Sequence, residues 1–577
     1  MKFIKFAQLL QSLEKTKSRN DMTSLLAEFL DGITEQEFVV VYLIQGRLKP
    51  KFVDLEFNLS QKLILKALEN LGDSNMLFKD LGDCGLVAEK LCSDASDDLE
   101  IVEVYEKLIE IANLKGAGSQ DSKIEMYLEL IKNVKPLSAK YITRVIVGNL
   151  RLGLSDKTIL DSISWLKKGD KSLRSILDRA YGIRSDIGEI TKITLFNKDF
   201  ENILNSISLK PLTPVASKLV ERAKDTKEVW ERMPNCFVQP KLDGLRGQIH
   251  YDGNENVEIF SRNMERLTLQ FPEIVEEIKQ NFNNSFILDS EIIGWDEENK
   301  TFLPFQETIK RKRKYDIQNH LKSIPIKAMC FDVLYFDGTD LTQKPLNERI
   351  NILFKNFGSK SRFLEILETK QIASLDELTT YFEEKVYSGL EGIITKQFDS
   401  FYEPGTRNFS WIKLKANTVS SLVDTIDVVV LGYYYGKGAR AKFGVGTLLA
   451  GVYDPDKNEY YSLGKVGSGF TDEDLKKIKF DLCQIQISEK PDNFIVDKNI
   501  YPDVWVEPKI IMEIVADEIT RSNVHTAGKG FRTKVKNDDF QKGLSIRFPR
   551  MKIWNRQDKD IPTTVTELVR MYELRKG

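Results

Sequence analysis

Histidine and cysteine are scarce in this chain of 577 residues, which has three of the first and five of the second. The histidines (His250, His320, His525) lie far apart, and no two of the cysteines (Cys84, Cys92, Cys236, Cys330, Cys483) stand in CxxC spacing. That excludes a zinc ribbon and a disulfide framework, argues against a histidine-based triad, and fits a reducing compartment. An excess of charge is also missing. The 84 basic and 86 acidic residues nearly cancel along the whole chain, so any polyanion must be met by a local patch. No apolar run approaches about 18 residues, and the amphipathic opening MKFIKFAQLLQSLEKT is no signal peptide, so the expectation is a soluble, cytoplasmic protein with no membrane contact. Neither GxxxxGK[ST] nor GxGxxG occurs, which leaves P-loop and Rossmann enzymes without motif support.

What is present is an ordinary globular balance, 41% hydrophobic and 29% charged, in a chain too long for one core, so several domains are expected. Three textures follow one another. Over the first two hundred residues Phe3, Phe6, Leu9, Leu10 and Leu13, then Leu25, Leu26, Phe29 and Leu30, recur at helical spacing, with glycine-bearing turns at Gly82–Gly85, Gly116–Ser119 and Gly148–Gly153. SISLKPLTPVA (206–216) reads as a linker. Beyond it, FVQPKLDGLRGQIHYD, NVEIFSR, SFILDSEIIGW, IKAMCFDVLYFDG and GLEGIITKQ read as strands, with a helix over 272–282, the texture of a mixed α/β domain. After about residue 420, TIDVVVLGYYYG, GTLLAGVYD, YYSLGKVG, KIIMEIVAD and LSIRFPR look like strands of a small β-barrel.

The sharpest chemical feature is KLDGLR, in which Lys241 follows a strand and the Asp243–Gly244 turn holds it. A lysine amine attacks phosphorus only when neutral. Burial and neighbouring cations would lower its ordinary pKa of about 10.4 and free the lone pair. Ser261-Arg262-Asn263 supplies a further cation. Glu291, closing FILDSE, and Glu391, in SGLEGIITK, are carboxylates at the ends of apolar strands, costly unless paired or bound to metal. Oxygen ligands without His or Cys suit Mg²⁺ better than zinc; a buried salt bridge with Lys396 or an arginine is the alternative. By pattern alone Phe331 is core. Lys413 and Lys415 alternate with Ile412 and Leu414 and so share a strand face, where an anion between them would relieve their repulsion. Lys310, Arg311, Lys312, Arg313 and Lys314 form a basic run expected to meet a polyanion backbone or another domain. The loops Gly82–Gly85 and Gly116–Ser119 offer backbone N–H groups at helix N-termini for phosphates.

The ordered set KLDGLR, SRN, LDSEIIGWD, FDVLYFDG, EGIITK, WIKLK and RFPR resembles the covalent nucleotidyltransferase signature of ATP-dependent DNA ligases. FQETIKRKRKYD, YEPGTRNFSWIKLKAN, DVVVLGYYYGKGAR and ADEITRSNVHTAG are similar to the replicative archaeal and eukaryotic type. GAGSQ and VGNLRLGLSDKTILDSIS resemble that family's DNA-binding domain, so the likeness covers nearly the whole chain. It implies a multidomain protein: an all-α DNA-binding domain over 1–205, an α/β, mixed antiparallel nucleotidyltransferase domain over 206–418, and a C-terminal β-barrel OB-fold over 419–577. The implied activity is sealing of 3′-OH/5′-phosphate nicks in duplex DNA through lysyl-AMP and DNA-adenylate, in replication, repair and recombination. ATP would be co-substrate and Mg²⁺ the metal, with Mn²⁺ as an alternative. The implied partner is nicked duplex, with a sliding clamp as a further candidate, for a monomer in the nucleoid.

The resemblance also assigns roles. Lys241 would attack the α-phosphorus. Arg246, Arg262 and Arg407 would hold ribose and phosphates, Glu291 ribose or a metal, and Glu391 a metal. Phe331 would stack on adenine, while Lys413 and Lys415 would neutralise the α-phosphate. Arg547, Arg550, Arg556 and Lys559 would orient pyrophosphate. One position departs from the family: where a glutamate accepts a hydrogen bond from the adenine amino group, this chain has Gln239, whose amide can also donate. The alternatives are an RNA ligase or capping guanylyltransferase, against which the helical domain argues, and an inactive DNA-binding relative, against which the retained charges argue. An NAD⁺-using ligase would carry a four-cysteine zinc module that these cysteines cannot build.

Overall fold

The structure, a computed structural model, describes residues 1–576 except 94, 96, 97, 117, 304, 313–323, 359, 360, 416–424, 437, 517, 536 and 537. Arg313, Lys314 and His320 therefore lie outside the described residues. The chain forms two compact units, 1–419 and 420–577. All five cysteines are free.

The first unit begins with helices. Phe3–Lys15 buries Phe3, Phe6, Leu9, Leu10 and Leu13, the residues its 3.6-residue period brings to one face. Pro136–Ile146 is buried from Ser138 to Ile146 and runs through the middle of this region. Its Arg144, 2% exposed, is held by Glu14 at 2.9 Å and Asp83 at 3.1 Å, because a guanidinium leaves water only with its charge matched. Asp83 also pairs with Arg151 at 3.0 Å and caps the helix Cys84–Leu91, accepting from the Leu86 N–H at 2.9 Å. Of the N–H groups expected to be open to phosphate at the Gly82–Gly85 loop, that of Leu86 is thus already taken by a carboxylate. The helix Ser119–Lys132 differs, since Gly118 at its N-cap contributes no side-chain cap.

Two sheets follow. The first is five-stranded: β1 (Leu219–Arg222), β12 (Arg407–Lys415), β11 (Gly392–Gln397), β2 (Cys236–Lys241) and β10 (Lys370–Ile372), in that spatial order. The second has β4 (Val257–Ser261), β3 (Leu245–Tyr251), β5 (Phe286–Asp296), β7 (Ile326–Phe336) and β8 (Thr339–Asp340), with β6 (Thr301–Phe302) on β5 and β9 (Leu364–Ile366) on β7. Helices Pro272–Asn281 and Leu346–Phe357 pack Ile274, Ile278, Ile350 and Leu353 onto the second sheet. Leu375–Tyr387 packs Leu378, Tyr381 and Phe382 onto the first.

The stretch read as a linker is strapped down. Val215 N–H donates to Gln248 Oε1 at 2.7 Å, Leu212 N–H to His250 Nδ1 at 3.2 Å, and Leu209 N–H to Asp340 Oδ2 at 3.1 Å. Its prolines exclude helix, but side chains of β3 and β8 supply the partners that its backbone would otherwise find in water. His250 is fully buried and neutral, its pKa pushed down to about 3 by that burial. Within the basic run, the two side chains that the structure describes are paired inside this unit. Arg311, 3% exposed, pairs with Glu273 and donates to the Ile324 and Gln270 carbonyls at 2.9 and 3.1 Å, while Lys310 pairs with Glu307. Arg311 is thus an internal anchor and is not available to a DNA backbone.

The second unit is β-rich. An eight-stranded sheet holds β13 (Ile426–Tyr434), β14 (Thr447–Asp454), β15 (Glu459–Val466), β16 (Gln486–Ile487), β17 (Phe494–Ile495), β18 (Val504–Val506), β19 (Ile511–Val515) and β22 (Arg550–Ile553). β20 (Glu518–Ser522) pairs with β21 (Gly543–Arg547). Helix Asp472–Cys483 and the C-terminal helix lay Ile478, Leu482, Leu568 and Tyr572 on Val428, Ala450 and Met512. No helix among the described residues is long and apolar enough to cross a membrane.

Candidate active site

β2, β11 and β12 lie side by side, and their register aligns Lys241 with Gly392 and Gly392 with Lys415. The middle position of that row must be glycine. Gly392 has φ +146°, and a Cβ there would stand 2.1 Å from the Leu414 carbonyl oxygen. Glu391, one residue earlier, reaches both lysines, with Oε2 on Lys241 Nζ and Oε1 on Lys415 Nζ. Burial would raise the Glu391 pKa, but the two ammonium groups hold it below the ordinary carboxylate range. The salt-bridge alternative for Glu391 is therefore realised with different partners from those expected. Lys396 instead donates to the Phe331 carbonyl at 3.2 Å.

The next cross-strand row places Gln239 beside Ile394 and Ile394 beside Lys413. Lys413 pairs with no carboxylate among the described residues. Burial lowers its pKa, and Lys415, Lys241, Arg262 and Arg407 lower it further. Arg262 stands at the tip of the SRN turn, where Ser261 Oγ accepts from the N–H groups of Asn263 and Glu265 at 3.2 and 3.0 Å. Arg407 opens β12. Five cations thus converge from three segments, with Glu391 the carboxylate tied to them. Such an arrangement is at rest only with an anion among them.

Glu291 lies across from Arg246 in the β3–β5 ladder. It accepts the Gly244 N–H at 3.2 Å, an approach that depends on a bare glycine, since a Cβ at 244 would sit 2.6 Å from the Ile292 carbonyl oxygen. Burial pushes the Glu291 pKa up to about 7, against the pull of Lys241 and Arg246. Arg246 itself is engaged. Its Nε donates to Asp289 Oδ1 at 2.9 Å, its Nη2 to Asp289 Oδ2, and its Nη1 to the Lys218 carbonyl at 2.9 Å. Tyr402 donates to Asp289 at 2.9 Å. The Arg246 guanidinium also lies 5.4 Å from the centre of the Phe331 ring. Phe331 is 9% exposed, and Lys396 sits 4.5 Å over it and 4.0 Å over Trp411. Burial pushes the Lys396 pKa down to about 7.

Sequence reasoning missed Asp289 and Tyr402, and it gave Lys396 a carboxylate partner where the structure gives it the Phe331 carbonyl. Asp289 carried the same signal as Glu291, a carboxylate in an apolar strand, two residues away in FILDSE. In the second unit, Arg547 pairs with Glu518 at 3.5 Å and Lys559 with Asp427 at 3.5 Å, while Arg556 meets Asp427, Glu513 and Asp558. Arg550 opens β22. Arg547, Arg556 and Lys559 are thus matched within their own unit.

Three family models match the chain in order: DNA ligase N terminus over residues 2–164, ATP dependent DNA ligase domain over 217–415, and ATP dependent DNA ligase C terminal region over 441–559. The chain is 39% identical to a probable DNA ligase of Dictyoglomus turgidum, covering 100% of this chain and 98% of that protein. It is 38% identical to the DNA ligase of Sulfolobus acidocaldarius, again over 100% and 98%. It is 36% identical to a probable DNA ligase of Persephonella marina, over 99% of each. Among solved structures, one named Pmar-Lig_Pre. superposes with a TM-score of 0.56 over 96% of this chain and 99% of its own, at 17% identity, a likeness of fold.

Proposed function

The chain belongs to the ATP-dependent DNA ligase family, and from that premise we propose that Lys241 is the residue through which it takes AMP from ATP and passes it to nicked DNA. The observation that carries this assignment is the row Lys241–Gly392–Lys415 under Glu391, ringed by the unmatched cations Lys413, Arg262 and Arg407. Paired with Glu391, Lys241 is an ammonium and cannot attack. A triphosphate entering among the cations offers Lys415 and Lys413 a stronger anion than the shared carboxylate. The Lys241–Glu391 contact then opens, and the lysine passes its proton to solvent. The neutral amine attacks the α-phosphorus, an N–P bond forms, the bond from the α-phosphorus to its bridging oxygen breaks, and pyrophosphate leaves. The AMP then passes to the 5′-phosphate of the nick, and attack by the 3′-OH forms the phosphodiester and expels AMP.

In this reading Lys413 and Lys415 lie against the α-phosphate, where charge grows in the transition state. Arg262 and Arg407 bind the outer part of the nucleotide, and Phe331 offers the adenine a ring. Arg246 serves mainly by bracing the pocket wall through Asp289. The chemistry of the donors fits Mg²⁺: Glu291 and Glu391 bring oxygen alone, and among the described residues no three His, Cys, Asp or Glu side chains converge. Such an ion keeps several waters and leans on substrate phosphate, and when bound it neutralises charge on the phosphate oxygens. Residues 1–205 act as the DNA-binding domain, 206–418 as the nucleotidyltransferase and 419–577 as an OB-fold. Arg547, Arg550, Arg556 and Lys559 of the last orient pyrophosphate, for which Arg547, Arg556 and Lys559 exchange their carboxylate partners. The deciding experiment incubates the full chain with ATP labelled at the α-phosphate and isolates the peptide that carries the label. Label on any residue other than Lys241 overturns the assignment.

A further inference from the structure

We infer that Thr369 is a positioning residue that makes the base pocket accept a 6-aminopurine and refuse a 6-oxopurine, by dictating which end of the Gln239 amide is open. The inference rests on the proposed assignment of Lys241, because Gln239 stands two residues before it on the same side of β2. Gln239 is 1% exposed. Its Nε2 donates to Thr369 Oγ1 at 2.8 Å and to the Phe331 carbonyl at 3.3 Å. An amide has two N–H bonds, and both are now spent.

The direction of these bonds follows from the partners. A carbonyl oxygen only accepts. Thr369 has one hydroxyl hydrogen, which goes to the Leu367 carbonyl at 3.0 Å, so toward Gln239 it too can only accept. Turning the amide over would set its oxygen against two oxygens. Thr369 is held in place to impose this, since it precedes β10, whose Lys370 pairs with Val238 beside Gln239. Among the described residues nothing donates to Gln239 Oε1. The group left open is therefore an acceptor. In effect, the relay from Leu367 through Thr369 gives a neutral amide the single polarity that a carboxylate has by nature.

The amino group at position 6 of adenine donates to such an acceptor. The oxygen at position 6 of guanine faces it acceptor to acceptor, and both are stranded out of water. Leaving buried polar groups unmatched in this way costs about tenfold or more in discrimination. The test compares the rates at which the full-length wild-type, T369V, T369A and T369S proteins become labelled by ATP and by GTP. Each nucleotide carries its label at the α-phosphate, and thermal melting is followed alongside. Loss of the hydroxyl frees one N–H and lets the amide turn. The ATP-over-GTP ratio should fall at least about tenfold in T369V and T369A, chiefly through a gain with GTP, while T369S keeps the wild-type ratio. A ratio within about twofold of wild type in both variants, or a parallel loss with both nucleotides, overturns the inference. Wild-type protein that takes label from neither nucleotide overturns the Lys241 assignment, and the inference with it; the wild-type arm reads that outcome separately.

Discussion

Two sets of basic side chains divide this molecule. In the first unit Lys413, Arg262 and Arg407 crowd together without carboxylate partners among the described residues, and Lys241 and Lys415 share one. In the second unit Arg547, Arg556 and Lys559 each pair with a carboxylate. Arg311, in the basic run of the first unit, follows the second pattern, buried against Glu273. Paired cations hold the fold together. Unpaired cations raise the energy of the empty site and repay it when an anion arrives, which is what a binding site for a triphosphate requires. The two patterns therefore differ in what a truncation should damage: stability for the paired set, chemistry for the unpaired set.

The largest effect is expected at Lys241. Lys241→Ala should give no labelled protein with ATP yet still seal part of a pre-adenylated nick, since only the first step uses the amine; gel analysis of both reactions checks this. Next comes Arg311→Ala, which strands the Glu273 carboxylate and should lower unfolding free energy by about 3–5 kcal/mol in a denaturant titration. Its affinity for nicked duplex should keep the wild-type salt dependence, and a shallower slope would return Arg311 to the DNA contacts. Lys413→Ala should reverse that profile. Self-adenylation falls about 100-fold, the scale of losing one preorganised charge contact, while melting is unchanged or slightly higher as repulsion is relieved.

His250 gives a pH-dependent effect of about 2 kcal/mol. Its folded pKa of about 3 lies below the ordinary 6.5, so the unfolded chain takes up the proton first. The stability it contributes is present above pH 6.5 and is lost as pH falls from there toward 3, by about 2 kcal/mol at pH 5. Wild type should therefore lose more stability between pH 7 and pH 5 than His250→Asn, which starts lower. The smallest effect is expected from Arg556→Ala. It should lower the melting temperature by a few degrees and slow self-adenylation less than Lys413→Ala does. A loss of self-adenylation as large as that of Lys413→Ala would erase the distinction between the two sets.

Much of the candidate site could be read directly. KLDGLR marked a strand followed by a tight turn, and the spacing of Lys413 and Lys415 put both on one strand face. What escaped were residues whose meaning lies in a partner far along the chain. Asp289 is one apolar-strand carboxylate among several until Arg246 and Tyr402 close on it from β3 and from the approach to β12. Arg311 looked like surface charge because a run of basic residues usually is, yet Glu273 and two backbone carbonyls draw it inside. Thr369 sits in no motif at all, and its importance depends on two hydrogen bonds that no spacing announces. The bonds that hold the linker were illegible for the same reason, since the groups that make them belong to β3 and β8.

The sequence by itself determined the family, the order of helical, mixed and β-rich regions, and the residue types gathered at the nucleotide motifs. These follow from local periodicity, from turn chemistry and from motif order, all of which are written within a few residues of one another. Only the tertiary structure decided which charges are matched and which are left for a ligand. It also decided which end of the Gln239 amide stays open and whether a helix N-terminus such as that of Cys84–Leu91 is already occupied. The physical reason is range. A backbone conformation is set by neighbours along the chain, whereas the state of a buried charge or amide is set by whatever packing brings within about 3 Å of it, and in this fold those partners lie up to 185 residues away.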